Sequence, residues 1–204
     1  MNENLSFEKI TGFFDEAMNR IIIDFNFRRA APGNWSRRQG DEINVINIQK
    51  HSSDSLFCVN LGIHYAFLPK VGTGKDVDGD YLEIPDCEIK LRLTDQAVDK
   101  DQWWPIATSS IDQVVDLVSR RALPIFDSYR IDGPVAAMSG EDIENCHLGL
   151  LASMTKVRAC LLLARLQEKL GNRDKCIEAA TVGLRVAGMA VGPKKALKGI
   201  LARV

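Results

Sequence analysis

The stretch Leu56-Phe57-Cys58-Val59-Asn60-Leu61-Gly62-Ile63-His64-Tyr65 decides the fold. Its odd-numbered positions, Phe57, Val59, Leu61, Ile63 and Tyr65, are all apolar. Successive side chains of a strand point to opposite faces, so this alternation describes a β-strand with one core face. Burying each of these side chains is worth about 1.5–3 kcal/mol, which fixes the face that turns inward. Asn60 and His64 then fall on the other face. Cys87-Glu88-Ile89-Lys90-Leu91-Arg92-Leu93-Thr94 repeats the pattern, with Cys87, Ile89, Leu91 and Leu93 on one side and Glu88, Lys90, Arg92 and Thr94 on the other. Two such strands side by side make a sheet with an apolar face and a polar one.

Upstream, residues 25–29 read as a short strand and residues 42–50 as a longer one. Between them a second short strand carries Trp35 and Arg37 on one side. Ala31-Pro32-Gly33-Asn34 and Gln39-Gly40-Asp41 supply the turns. In 42–50 the alternation slips at Val45-Ile46, so either both faces are covered or the strand bulges. Residues 66–86, with Gly72, Gly74, Gly79 and four aspartates, join the two clear strands. Loops of that length are usually functional or disordered. Residues 7–24 form an amphipathic helix with Phe7, Ile10, Phe14, Met18 and Ile21 as its stripe and Ser6 as its N-cap. A second helix starts near Ser109, where Asp112 completes a capping box. Its stripe is Ile111, Val114, Val115 and Val118, and it is expected to end before Pro124. Residues 131–139 read as irregular. From residue 147 the pattern is helical, over 151–170 and 173–187 with a turn at Gly171-Asn172. After a break at Gly192-Pro193, a short basic helix covers 194–204.

The expected architecture is therefore α+β: a mostly antiparallel sheet of about five strands with helices on one face, plus a C-terminal α-helical hairpin. Residues 1–135 make the sheet domain, and residues 140–204 a helical segment packed on it as one structural unit. The chain has 204 residues, 46% hydrophobic and 26% charged, which is ordinary globular composition. No run approaches the roughly 18 apolar residues of a membrane span, and MNENLSFEK lacks the features of a secretory signal. Five cysteines without paired spacing read as reduced thiols, hence a cytoplasmic protein. The net charge of −1 hides an asymmetry: residues 1–149 hold 15 Lys and Arg against 24 Asp and Glu, and residues 150–204 hold 11 against 3. The basic residues are interleaved with apolar ones at helical spacing, so a segment docked on its own acidic chain is preferred over a nucleic-acid site.

Several motifs fail as chemistry. Pro69-Lys70-Val71-Gly72-Thr73-Gly74-Lys75-Asp76 superficially resembles a phosphate loop, but Pro69 stands where a glycine is needed and Asp76 where Ser or Thr is needed. Asp76-Val77-Asp78-Gly79-Asp80 has its glycine before the third acid and Cys87 at the twelfth place, so it reads as a solvated turn and not a calcium loop. Cys58 and His64 share a strand face but stand about 20 Å apart, too far for one zinc ion. No cofactor and no metal are expected. The polar sheet face is the candidate surface, with Asn60, His64, Lys90 and Arg92, joined by Trp35, Arg37 or Gln49; such a mixture suits an anion or a partner protein.

Two resemblances follow from specific residues. Ala159-Cys160-Leu161-Leu162-Leu163-Ala164-Arg165-Leu166 with Cys176-Ile177-Glu178-Ala179-Ala180 and Gly183-Leu184 resembles a single tetratricopeptide-like hairpin over 151–187, with small Ala164, Cys176 and Gly183 where helices approach. The order Asn34-Trp35-Ser36-Arg37, Ile46-Asn47-Ile48-Gln49-Lys50-His51-Ser52, Phe57-Cys58-Val59-Asn60-Leu61-Gly62, Cys87-Glu88-Ile89-Lys90-Leu91-Arg92-Leu93 and Trp103-Trp104-Pro105-Ile106 resembles the bacterial family called domain of unknown function 4304, over about residues 5–130. That resemblance implies an α+β domain with a mostly antiparallel sheet and carries no activity. The leading expectation is a non-catalytic binding module that holds a protein partner on the polar sheet face. One specific form is an immunity-type protein that neutralises a toxin. The alternatives are an enzyme acting on an anionic small molecule through His64, Lys90 and Arg92, and nucleic-acid binding by the basic C-terminal segment.

Overall fold

The structure is a computed structural model that describes residues 6–22, 25–52, 55–95 and 101–204. It divides into two compact units, Met1–Phe126 and Asp127–Val204.

The first unit opens with helix α1 (Phe7–Ile22). Ser6 caps it, accepting a hydrogen bond from the Lys9 amide at 3.3 Å, and Ile10, Phe14 and Met18 are fully buried. Residues 23–24 and the side chain of Ile21, which the sequence adds to this helix, lie outside the described residues. Strands β1 (Arg28–Ala31), β2 (Asn34–Gln39), β3 (Glu42–Lys50), β4 (Leu56–Tyr65) and β5 (Ile89–Arg92) follow as an antiparallel meander, each paired to the next. A sixth strand, β6 (Trp104–Pro105), pairs with the start of β4. The first strand begins later than expected because Asn26 adopts a left-handed φ of 61°, which interrupts extended backbone ahead of Phe27. Gly33, at φ 69°, closes the β1–β2 turn behind Pro32.

Residues directly opposite in an antiparallel pair share a face. The register places Trp35, Ile46, Leu61 and Leu91 in one row and Arg37, Asn44, Ile63 and Ile89 in the next. This is the core face, and α1 lies on it: the Phe14 ring meets Phe57 edge-on at 5.1 Å, and Asp15 pairs with Arg29 at 2.6 Å. The opposite face splits in two. At one end Ile43 and Val45 pack with Leu82 and Cys87 from the long connection, flanked by Ala66, Val77 and Ile84. The slip at Val45-Ile46 is thus two-sided burial, since the β3 register runs without interruption from Glu42 to Lys50. Residues 72–76 and 78–81 of the long connection are exposed, while its Ala66, Val77, Leu82 and Ile84 form a packed cover. Its seat is Gly62, where an added Cβ would sit 2.5 Å from Cys87 Sγ and 3.1 Å from Ile84 Cδ1.

Helix α2 (Thr108–Leu117) packs beside α1 and buries Ile111, Val114 and Leu117. Its N-cap is Ala107 with no side-chain hydrogen bond, so the box expected from Ser109 and Asp112 does not form. Nor does the helix end before Pro124. It continues through a π-type segment, Val118–Ala122, into α3 (Leu123–Ser128); the widened turns accommodate a proline that has no N–H to give.

The second unit holds α4 (Pro134–Ala137), α5 (Gly140–Glu144), α6 (Lys156–Lys169), α7 (Arg173–Val186) and α8 (Val191–Leu201). A capping box does occur here, between Ser139 and Asp142, in a region the sequence left irregular. The Ser139 hydroxyl and amide hold the Asp142 carboxyl below its usual value. Gly192 and Pro193 lie in the first turn of α8 instead of breaking the chain ahead of it, a position that suits proline. Gly183 marks a close approach: a Cβ there would be 2.9 Å from both Cys160 of α6 and Leu197 of α8. Ala164 and Cys176 are fully buried. No helix among the described residues is long and apolar enough to cross a membrane.

Candidate functional site

The other end of the polar sheet face, which the long connection does not reach among the described residues, is a strip of largely half-buried amides. Asn34 stands opposite Asn47, Asn47 opposite Asn60, and Asn60 opposite Arg92. Asn47 donates through Nδ2 to Asn34 Oδ1 at 2.7 Å. Asn60 donates through Nδ2 to Asn47 Oδ1 at 3.0 Å and to Gln49 Oε1 at 2.9 Å. Asn34 donates in turn to the Pro32 carbonyl at 3.1 Å. Every amide in the ladder therefore donates toward the β1 edge, and bonds aligned in one sense polarise one another.

Arg92 ends the row, its guanidinium 5.0 Å from the centroid of the Trp103 ring. Nε reaches Asp101 Oδ1 at 3.4 Å, and a second nitrogen donates to Cys58 Sγ. His51 meets Trp103 edge-on at 4.6 Å. Burial pushes the Cys58 thiol up, and the opposing pull of Arg92 does not reverse it. A thiol held protonated is a poor nucleophile. Burial likewise raises Cys87 and Cys160 to about 12. Among the described residues no group of three His, Cys, Asp or Glu side chains is placed to hold a metal ion.

The seven residues expected on this surface do not stay together. Gln49, Asn60 and Arg92 form the strip. Trp35 and Arg37 belong to the opposite, core face, because Trp35 pairs with Ile46 and Arg37 with Asn44. Trp35 is fully buried, and Arg37 is 6% exposed. Arg37 donates from Nε to Asn44 Oδ1 at 2.8 Å and lies 4.8 Å from the Phe27 ring centroid. His64 has the expected orientation, but the long connection encloses it: it is 0% exposed, with Nε2 3.1 Å from the Leu68 carbonyl. Lys90 sits between the halves and donates to the Pro85 carbonyl at 2.7 Å. From Asn60 to His64 is about 13 Å along β4, and Lys90 and Arg92 sit opposite Gly62 and Asn60. His64, Lys90 and Arg92 are thus strung along a sheet and do not converge on a substrate-sized hollow.

In the second unit, several basic side chains are held by groups of that same unit. Arg185 pairs with Glu144 at 2.9 Å, Arg203 with Glu168 at 2.9 Å, and Lys156 donates to the Glu144 carbonyl at 2.7 Å. Residues 127–149 bring five acids against one arginine, so the charge asymmetry of the sequence is partly balanced inside this unit.

Asn34, Asn47 and Asp101 are site residues that sequence reasoning missed. A signal for the first two existed. A two-residue turn at Gly40-Asp41 sets Gln39 opposite Glu42, and counting back from it brings Asn34 opposite Asn47. Asp101 carries no such signal, since the path from β5 to β6 is not written in any periodicity.

These features define a class: a small antiparallel α+β domain whose one polar sheet face is half lidded and half open. The family model described as Domain of unknown function (DUF4304) matches residues 27–128, half of the chain, and the chain belongs to that family. The match begins after α1, so this helix lies outside the matched residues. No curated protein and no solved structure matches the chain.

Proposed function

We propose that this chain is a non-catalytic binding module that docks a partner protein on the open amide strip. The observation that supports it is the Arg92–Trp103 contact at 5.0 Å, set beside Asp101 and at the end of the Asn34–Asn47–Asn60 ladder. Trp and Arg are the side chains most enriched where binding energy concentrates, and a sheet face bearing amides offers paired donors and acceptors around them. The lack of convergence between His64, Lys90 and Arg92, together with the raised thiol of Cys58, favours binding over catalysis. Five free cysteines fit a reducing compartment such as the cytoplasm.

The finer form is an immunity-type module that neutralises a toxin. The first unit holds 14 Lys and Arg against 19 Asp and Glu, a balance that suits a basic partner. Affinity capture from the source cell tests the reading, with the wild-type chain, Trp103→Ala, Arg92→Ala and, as a control in the second unit, Arg185→Ala. A partner retained by the wild type and by Arg185→Ala but lost by both strip variants is the expected result. Equal capture by all four proteins, or none by any, overturns it.

A further inference from the structure

The β1–β2 edge of the sheet, past the Asn34 end of the amide strip, carries a second, chemically different site. A cleft of about 660 Å³ opens where β1 and β2 meet the tip of the long connection, lined among others by Arg28, Arg29, Ser36, Arg37, Arg38 and Tyr81. Pockets of roughly 300–1,000 Å³ accept small organic ligands, so this one exceeds the needs of a single inorganic ion. We propose that it binds a small phosphate monoester.

The register brings the charges together. Arg28 stands opposite Ser36, and Arg38 is two residues further along the same face of β2, so Arg28 and Arg38 are diagonal neighbours about 7–8 Å apart at their backbones. Two guanidinium forks at that spacing can hold one phosphate between them, and Arg is the side chain whose planar donors match phosphate oxygens. Arg28 is exposed and forms no ion pair among the described residues. Arg38 donates to the carbonyls of Gly40 and Gly79, both at 3.1 Å, which leaves three of its five N–H groups. Its Asp80 partner is 3.9 Å away and 66% exposed, a solvated pair that a stronger anion displaces at little cost. A phosphate monoester carries about −1.5 to −2 charges at neutral pH, which matches two guanidiniums better than a single carboxylate does. Arg29 is already neutralised by Asp15 at 2.6 Å, and Arg37 is committed to Asn44 beneath the floor, so neither is needed as a direct ligand. Ser36 is fixed with its hydroxyl donating to the Asp80 carbonyl at 2.7 Å, and it anchors the loop that forms the far wall. On that wall Tyr81, 37% exposed, presents a ring to the organic part of the ligand.

The test is an amide NMR titration of the full chain with adenosine monophosphate, ribose 5-phosphate, adenosine and inorganic phosphate. Both monoesters are expected to shift amides at residues 28–38 and 79–81, and adenosine is not. Arg28→Ala is expected to weaken the monoesters at least about tenfold, which is about 1.4 kcal/mol. Arg28 is exposed, so this variant should fold, and an unchanged thermal melt confirms that. Arg92→Ala, on the amide strip, leaves the titration unchanged. Four results overturn the proposal: no shift from either monoester at millimolar concentration, adenosine binding as tightly as its phosphate, inorganic phosphate binding as tightly as the monoesters, or affinity indifferent to Arg28→Ala.

Discussion

The two halves of one sheet face are built by the same strands and met opposite fates. Toward Ile43, Val45, Gly62 and His64 the face is covered by residues 66–87, which lay Leu82 and Cys87 on it. Toward Asn34, Asn47, Asn60 and Arg92 it is open, and its side chains bond to one another. The difference lies in two residue choices along β3 and β4. Where β3 offers branched apolar groups and β4 offers a glycine, a covering segment gains apolar burial and can approach the backbone. Where both offer asparagine, a cover would have to satisfy amides that water and neighbouring amides already satisfy. The lidded half therefore serves stability, and the open half is surface that stability does not need.

The largest test of that division is Ile43→Ala. Ile43 is fully buried between the sheet and the cover, so its truncation is expected to cost about 3 kcal/mol of unfolding free energy. All three tryptophans lie within Met1–Phe126, so tryptophan fluorescence during urea unfolding reads the stability of that unit specifically. A loss below about 1 kcal/mol would mean that the cover rests lightly on the sheet and that the two halves are not the opposites described.

Gly62→Ala probes the seat of the cover and should cost somewhat less, about 1–3 kcal/mol, because the new methyl meets Cys87 Sγ and Ile84. A chemical readout separates lifting of the cover from simple destabilisation. In the native chain Cys146 is exposed while Cys58, Cys87, Cys160 and Cys176 are buried, and burial holds the Cys87 thiol at about 12. A thiol reagent at neutral pH is expected to modify Cys146 rapidly in the wild type and both Cys146 and Cys87 in Gly62→Ala. If Cys146 alone reacts in both proteins, the cover does not depend on contact at Gly62.

Much of this contrast can be read from the sequence, and the unread part has one cause. Phe57 to Tyr65 names its own core face because period-two alternation is a local signal, and the α1 stripe of Ile10, Phe14 and Met18 is equally local. What a single strand cannot say is which residues of its neighbours share its face. Residue type groups Trp35 and Arg37 with Asn60, but the register puts them on the other side, where Arg37 is buried against Asn44 and Phe27. The pattern sets His64 on the correct face but leaves it uncovered, because a loop rich in Gly and Asp reads as solvated even though Leu68 and Leu82 within it are buried. The helix boundaries failed differently. Ser109-x-x-Asp112 and Ser139-x-x-Asp142 are the same motif on paper, yet only the second forms its reciprocal bonds. The box needs the serine itself at the N-cap, and α2, capped by Ala107, begins two residues too early for Ser109 to hold that place.

The smallest expected effect is the most telling for the open half. Asn47→Ala removes the middle amide of the ladder, together with its bonds to Asn34 at 2.7 Å and from Asn60 at 3.0 Å. In the lidded half, deleting a side chain with two such bonds would leave buried polar atoms unpaired at about 1–3 kcal/mol. Asn47 is only half-buried, so water takes over the bonds that Asn34 and Asn60 lose, and the expected cost is about 1 kcal/mol or less in the same fluorescence-monitored urea titration. A cost above about 2 kcal/mol would show the ladder to be a structural brace, and its asparagines would then need no partner to account for them. A small cost combined with lost capture of a partner separates the two roles: the strip would contribute little to holding the sheet together and much to what the sheet holds.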